Sequence, residues 1–181
     1  MPRVAAAAGG IKCRRLLPAW LAETPCDWQS PGVRAIEISL PNLAATEHLA
    51  ARVAALARPG DAILLAGPLG AGKTTFARAF LRVATNDRRL EVPSPSFTLM
   101  QSYDTGIGAV HHFDLWRLEG RGGLAELGWD EARGDIVLVE WPDRLGSEWP
   151  EDALLITLAL GIGEARHATL AGWPDRIGRL T

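Results

Sequence analysis

Past residue 34, short apolar runs alternate with amphipathic ones along the chain, and their order outlines an α/β domain. Ala35 to Leu40 reads as a strand. Pro41-Asn42 follows, with Asn42 placed to cap a helix running to about Ala57 and carrying Leu43, Leu49, Val53 and Leu56 on one face. Arg58-Pro59-Gly60-Asp61 closes that helix and leads into the apolar run Ala62 to Ala66, a second strand. A glycine-rich loop and a helix over 73–84 come next, then the polar turn Asn86 to Arg89. Phe97 to Tyr103 and Ala109 to Leu115 read as an antiparallel hairpin across Asp104 to Gly108. A helical region spans about 122–133, and Asp135 to Glu140 reads as a buried strand. Leu154 to Leu160 and Arg166 to Ala171 pair across Gly161-Ile162-Gly163. This order predicts a three-layer α/β fold whose mixed sheet is parallel near the glycine-rich loop and antiparallel beyond it.

Residues 1–34 break this regularity. A run of alanines, a Gly pair, the basic cluster Lys12 to Arg15 and three prolines sustain no period. No apolar core of signal-peptide length follows the basic residues. The segment reads as a disordered extension, or as upstream sequence added by an early start codon. Residues 35–181 then form one domain, a size sufficient for a real core. The formal charge of −2 gives no blanket attraction to nucleic acid, so any contact with RNA would run through a partner or a local patch. No apolar run is long enough for a membrane helix. Cys13 and Cys26 are the two cysteines and imply no disulfide framework, so a reducing cytoplasm is expected.

The glycine-rich loop carries the chemistry. Gly67-Pro68-Leu69-Gly70-Ala71-Gly72-Lys73-Thr74 fits G-x-x-x-x-G-K-[ST], between an apparent strand and a helix, the setting in which the match means a phosphate cradle. Its glycines let successive N–H groups converge on phosphate oxygens, and the helix N-terminus adds partial positive charge. Lys73 would reach the β- and γ-phosphates, and the Thr74 hydroxyl would ligate Mg²⁺. The match is specific in a chain with only two lysines, Lys12 and Lys73. The expected architecture is therefore the P-loop NTPase fold.

Such a loop needs acidic side chains at nearby strand ends to hold Mg²⁺ or its waters. Asp114 and Glu140 end two apolar strands and fill that role. Strand alternation puts His112 and Asp114 on one face and turns His111 away; no cysteine or further histidine nearby completes a zinc set. Val92 to Thr98, with Pro93 and Pro95 between hydroxyl residues, reads either as a connecting loop or as a switch sensing the γ-phosphate. Trp129 and Trp149 read as packing residues rather than binding anchors.

Taken together, the phosphate loop through Thr75, Ser94-Pro-Ser-Phe-Thr98, His112-Phe-Asp-Leu-Trp-Arg-Leu118, Glu126-Leu-Gly128 and Val139-Glu-Trp-Pro142 resemble the bacterial TsaE (YjeE) family in order and spacing. The resemblance covers about residues 35–171. It implies an ATPase serving the threonylcarbamoyl-adenosine modification of tRNA, with ATP and Mg²⁺ bound and with TsaB and TsaD as partners. It further implies that Thr75 lies beside the phosphates, that Asp114 and Glu140 are the essential acidic pair, that Trp141 sits by the nucleotide, and that Ser94 to Thr98 form a switch loop. Ser96 stands where the family usually has Thr, and Trp116 and His111 each replace a Tyr. Leu40 to Leu43 and Ile162 to Arg166 are the candidate adenine contacts. A small-molecule kinase is the rival with the same loop, though Gly120-Arg121-Gly122-Gly123 is a poor acceptor lid. A nucleotide-gated binding module with negligible turnover is the rival of another class.

Overall fold

The computed structural model describes residues 35–118 and 122–180. The extension expected over residues 1–34 lies outside them, as do Gly120 and Arg121 of the lid candidate. Seven strands form one sheet: β1 (Ala35–Leu40), β2 (Ala62–Ala66), β3 (Met100–Thr105), β4 (Gly108–Asp114), β5 (Ile136–Glu140), β6 (Leu154–Leu160) and β7 (Arg166–Ala171). Their spatial order is β1-β7-β6-β2-β5-β4-β3. The centre is parallel, with β2 between β6 and β5 and with β4 beside β5. The flanks are antiparallel: β3 on β4, β7 on β6 and β1 on β7. The mixed sheet expected from the element order is the one observed.

Helices cover both faces. On one face α1 (Leu43–Ala54) and α2 (Lys73–Ala84) bury Leu49, Val53, Phe76 and Phe80 against Ile63, Leu65, Ile136, Leu138 and Ile156. On the other, α3 (Gly122–Glu126), α4 (Trp129–Ala132) and 3₁₀ turns over Pro142–Glu148 cover Leu64, Val137, Val139 and Phe113. Because side chains alternate along a strand, Ile63 and Leu65 serve one core while Ala62, Leu64 and Ala66 serve the other. All residues of β2 and β5 are buried, as befits the central strands of a three-layer sandwich. Burying each large aliphatic side chain there contributes about 1.5–3 kcal/mol. Trp129 packs edge-on against Phe113 with centroids 5.3 Å apart, and both Trp129 and Trp149 are buried in the second core.

Three local expectations differ from the structure. Helix α1 begins at Leu43 under an Asn42 cap, whose Oδ1 accepts from the Ala45 amide at 3.0 Å. It ends at Ala54 in place of Ala57, and Leu43 is 55% exposed rather than facing the core. Strand β3 begins at Met100, not Phe97, because Leu99 takes a positive φ of 61° and its amide donates to the Pro95 carbonyl, closing a turn. Phe97 is left 84% exposed. The helical region near 122–133 is two short helices, separated where Gly128 adopts φ 70°.

Candidate active site

The parallel register fixes where the chemistry collects. Strand β2 delivers the chain into the glycine-rich loop, and β5 and β4 lie next to it in that order, ending at the same level. Leu65 is paired with Glu140, and Glu140 with Asp114. Within β4 and β5 the even-numbered residues Val110, Ile136 and Leu138 face α1 and α2. By the same alternation His112, Asp114 and Glu140 turn toward that face, where α2 begins with Lys73 and Thr74. The sheet therefore aims both candidate carboxylates at the phosphate loop.

The loop has the backbone its sequence calls for. Gly67, Gly70 and Gly72 hold φ values of 136°, 78° and 104°. A Cβ on Gly67 would lie 2.3 Å from the Leu158 carbonyl oxygen, so β6 approaches too closely for any other residue. A Cβ on Gly70 or Gly72 would meet nothing within 4 Å; there the left-handed backbone is what favours glycine. Ala71 is buried, and its amide donates to the Pro68 carbonyl, while Leu69 projects outward with 81% exposure. Gly72 caps α2 without a side-chain hydrogen bond, leaving the first-turn amides with no capping side chain. An uncapped helix start beneath a glycine loop suits an anion.

Lys73 is buried, and its Nζ donates to the carbonyls of Gly67 at 2.8 Å and Pro68 at 2.9 Å. The Trp141 ring covers the ammonium 3.7 Å from its centroid, and Trp116 leans on Trp141 with centroids 4.4 Å apart. Burial lowers the Lys73 pKa from its ordinary value, while the charges of Glu140, Asp114 and Asp143 oppose that shift. Trp141 sits at φ 59°, a left-handed conformation disfavoured for so bulky a residue, with its amide donating to the Leu65 carbonyl. Such strain persists where surrounding structure imposes it, and here it holds the indole over the lysine.

The two carboxylates have different partners. Thr74 Oγ1 donates to Glu140 Oε2 at 2.8 Å, and the second oxygen of Glu140 lies 3.0 Å from His112 Nε2. Asp114 Oδ2 accepts from Ser94 Oγ at 2.5 Å, and its Oδ1 accepts from the Trp116 amide. The stretch from Val92 to Leu99 is further tied down through Arg78 Nε on the Val92 carbonyl and through the Asp114 amide on the Leu99 carbonyl. Glu140 thus belongs to the phosphate loop and Asp114 to the Pro93–Pro95 loop.

His111 turns away, as alternation predicts: its ring nitrogens lie 2.8 Å from Ser102 Oγ and 3.2 Å from Asp135 Oδ2. Among the described residues no cluster of three or more His, Cys, Asp or Glu side chains could hold a metal by itself. Oxygen donors only, from Thr74 and one or two carboxylates, suit Mg²⁺, which completes its shell with waters and phosphate oxygens. The donor set fits that ion.

Sequence comparison agrees with this geometry. The family model described as "Threonylcarbamoyl adenosine biosynthesis protein TsaE" matches residues 40–168. The chain belongs to the TsaE family. Its relatives include the Bacillus subtilis protein named tRNA threonylcarbamoyladenosine biosynthesis protein TsaE, 34% identical over 72% of this chain and 82% of that one. The like-named Streptomyces coelicolor protein is 36% identical over 71% of this chain and 91% of its own. The Rickettsia felis relative is 38% identical over 54% of this chain, and the match spans 57% of its length. The crystal structure of Bacillus subtilis YdiB superposes with a TM-score of 0.67 at 29% identity, covering 83% of this chain and 94% of that one. As a TsaE-family member, the chain has the P-loop NTPase fold.

Lys73, Thr74 and Thr75 open α2, with Glu140 bonded to Thr74 and Trp141 over Lys73. Thr75 is half-buried in the first turn of α2. The two adenine candidates meet at the sheet edge, where Leu40 pairs with Arg166, and Arg166 Nη2 donates to the Gly70 carbonyl at 3.4 Å. Sequence reasoning put His112 on the right face but gave it no role, and it named Ser94 to Thr98 as a loop without showing that Ser94 contacts Asp114. Only strand register could have revealed these partners.

Proposed function

We propose that this chain is a Mg²⁺-dependent ATPase acting in threonylcarbamoyl-adenosine formation on tRNA, in the cytoplasm, with TsaB and TsaD as partners. The observation that carries the reading is the hydrogen bond from Thr74 to the buried Glu140, which fixes a phosphate-loop hydroxyl on a strand-end carboxylate. The hydroxyl oxygen keeps its lone pairs for a cation while its proton goes to Glu140. Thr74 and Glu140 would hold Mg²⁺ directly or through its waters, and the ion would supply positive charge against that building up on the phosphates during transfer.

The protein's own groups do the rest. Loop amides and the start of α2 hold the phosphates. Lys73 exchanges the Gly67 and Pro68 carbonyls for β/γ-phosphate oxygens, and the charges of Glu140, Asp114 and Asp143 work against the lowering of its pKa by burial. Asp114, paired with Glu140 at the end of β4, orients the attacking water. As the water oxygen bonds to the γ-phosphorus, the β–γ bridging bond breaks, giving ADP, phosphate and a proton. The exposed Leu43 and Ile162 belong to the proposed adenine segments and supply apolar surface for the base.

The relatives' names support the tRNA role, and the Ser94–Asp114 tie supports the switch. A γ-phosphate near Asp114 would compete for the Ser94 hydroxyl and reset the loop, including the exposed Phe97. Titration with the TsaB–TsaD pair tests this, with tighter binding expected in ATP than in ADP. Equal affinity in ATP, ADP and no nucleotide would rule the switch out.

A further inference from the structure

We propose that His112 is a positioning residue that orients the carboxylate of Glu140 through an Nε2–H donor. The proposal rests on the ATPase reading above.

His112 is completely buried on β4, and Nε2 lies 3.0 Å from Glu140 Oε1, itself on a residue 2% exposed. Its other ring nitrogen, Nδ1, is buried with no hydrogen-bond partner among the described residues. That asymmetry selects the tautomer. A proton on Nδ1 would be a buried donor with no acceptor and would leave the Nε2 lone pair facing a carboxylate oxygen, so both nitrogens would be unsatisfied. The proton therefore sits on Nε2, and the bond runs from His112 to Glu140.

Both oxygens of Glu140 are then spoken for. Oε2 accepts from the Thr74 hydroxyl and Oε1 accepts from His112. One contact comes from the phosphate loop and the other from the neighbouring strand, so the carboxylate plane cannot turn without losing one of them. The Thr74 contact alone is a pivot. The His112 contact converts the pivot into a fixed plane, which keeps Oε2 on Thr74 and Thr74's lone pairs directed at the cation position. Histidine is suited to this task because its ring is rigid and is itself gripped by packing; a lysine in the same place would add a charge and flexibility.

The test uses the full chain, wild type and with His112→Leu or His112→Gln. Leu keeps a buried apolar volume without the donor, and Gln can place an N–H where Nε2 stood. Mg²⁺ is titrated against ATP turnover in the presence of the TsaB–TsaD pair, and separately against ADP binding. Long-range ¹H–¹⁵N NMR on the wild-type chain reads the His112 tautomer and needs neither activity nor a variant. We expect the Nε2–H tautomer. We also expect His112→Leu to raise the Mg²⁺ requirement and lower kcat by about 10–100-fold, the usual effect of removing an outer partner of a metal-holding group, with the KM for ATP at saturating Mg²⁺ little changed. His112→Gln should recover most of both losses. An Nδ1–H tautomer, a Leu variant with wild-type Mg²⁺ dependence, or a Gln variant as poor as Leu would overturn the proposal. Absence of turnover in the wild type would instead overturn the ATPase reading, while the tautomer and the ADP titration would still decide the role of His112.

Discussion

Thr74, in the first turn of α2, and Glu140, the last residue of β5, are joined by a 2.8 Å hydrogen bond although 66 positions separate them in sequence. The bond exists because β5 lies directly beside β2, so the end of one strand faces the helix that follows the other. Asp114, one strand further out, accepts from Ser94 Oγ and from the Trp116 amide. Sheet order thereby gives the two carboxylates different partners.

That division predicts different failures. Glu140→Gln keeps the shape but removes the charge beside Thr74, so the Mg²⁺ requirement should rise and turnover should fall by roughly 10²–10³-fold. Asp114→Asn should still bind Mg²⁺ and ATP with near-normal affinity while losing turnover. Nucleotide binding and hydrolysis measured across a Mg²⁺ titration check both. Identical profiles for the two variants would contradict the separate roles.

Gly67 and Gly70 separate close approach from backbone freedom. Gly67→Ala drives a Cβ into the Leu158 carbonyl at 2.3 Å and should cost about 3 kcal/mol of stability. Gly70→Ala meets no neighbour, and the cost of a left-handed alanine alone is about 1 kcal/mol. Urea unfolding midpoints measure the difference. Equal midpoints would show that β6 does not crowd the loop.

Tyr103 gives a pH-dependent readout. Its hydroxyl is buried without a partner among the described residues, and burial raises its pKa above the ordinary value of 10.0. Above that value the unfolded chain loses the phenolic proton first, so the folded state binds more protons and stability falls as pH rises toward the raised native pKa. Tyr103→Phe should remove this alkaline slope and change stability at neutral pH by less than about 1 kcal/mol. Tyr103 is the one tyrosine of the chain, so tyrosinate absorbance titrates it alone. Ionisation at the ordinary value would refute the burial effect.

What the sequence made legible follows from how local each signal is. The phosphate loop lies within eight consecutive residues, and Asp114 and Glu140 each close a short apolar run, so all three could be read without a fold. Their partners could not, because Thr74–Glu140, Ser94–Asp114 and His112–Glu140 depend on strand order. Leu43 fits the helical period of α1 yet is exposed, since a period does not say where a helix stops covering its sheet. Phe97 has strand-like character, but the turn made by Pro95 and Leu99 keeps it outside β3. Nothing in the residue types around Trp141 announces its left-handed backbone.

The central claim is that this loop hydrolyses ATP through Lys73, whose ammonium is held beneath Trp141 among acidic neighbours. The direct measurement is phosphate release from Mg²⁺-ATP by the wild-type chain and by Lys73→Ala, each alone and with the TsaB–TsaD pair. Losing the β/γ-phosphate charge partner should lower the rate by about 10²–10³-fold or more while leaving the chain folded by circular dichroism. The account predicts partner-stimulated turnover in the wild type and almost none in the variant. A folded Lys73→Ala chain that releases phosphate at the wild-type rate would contradict it.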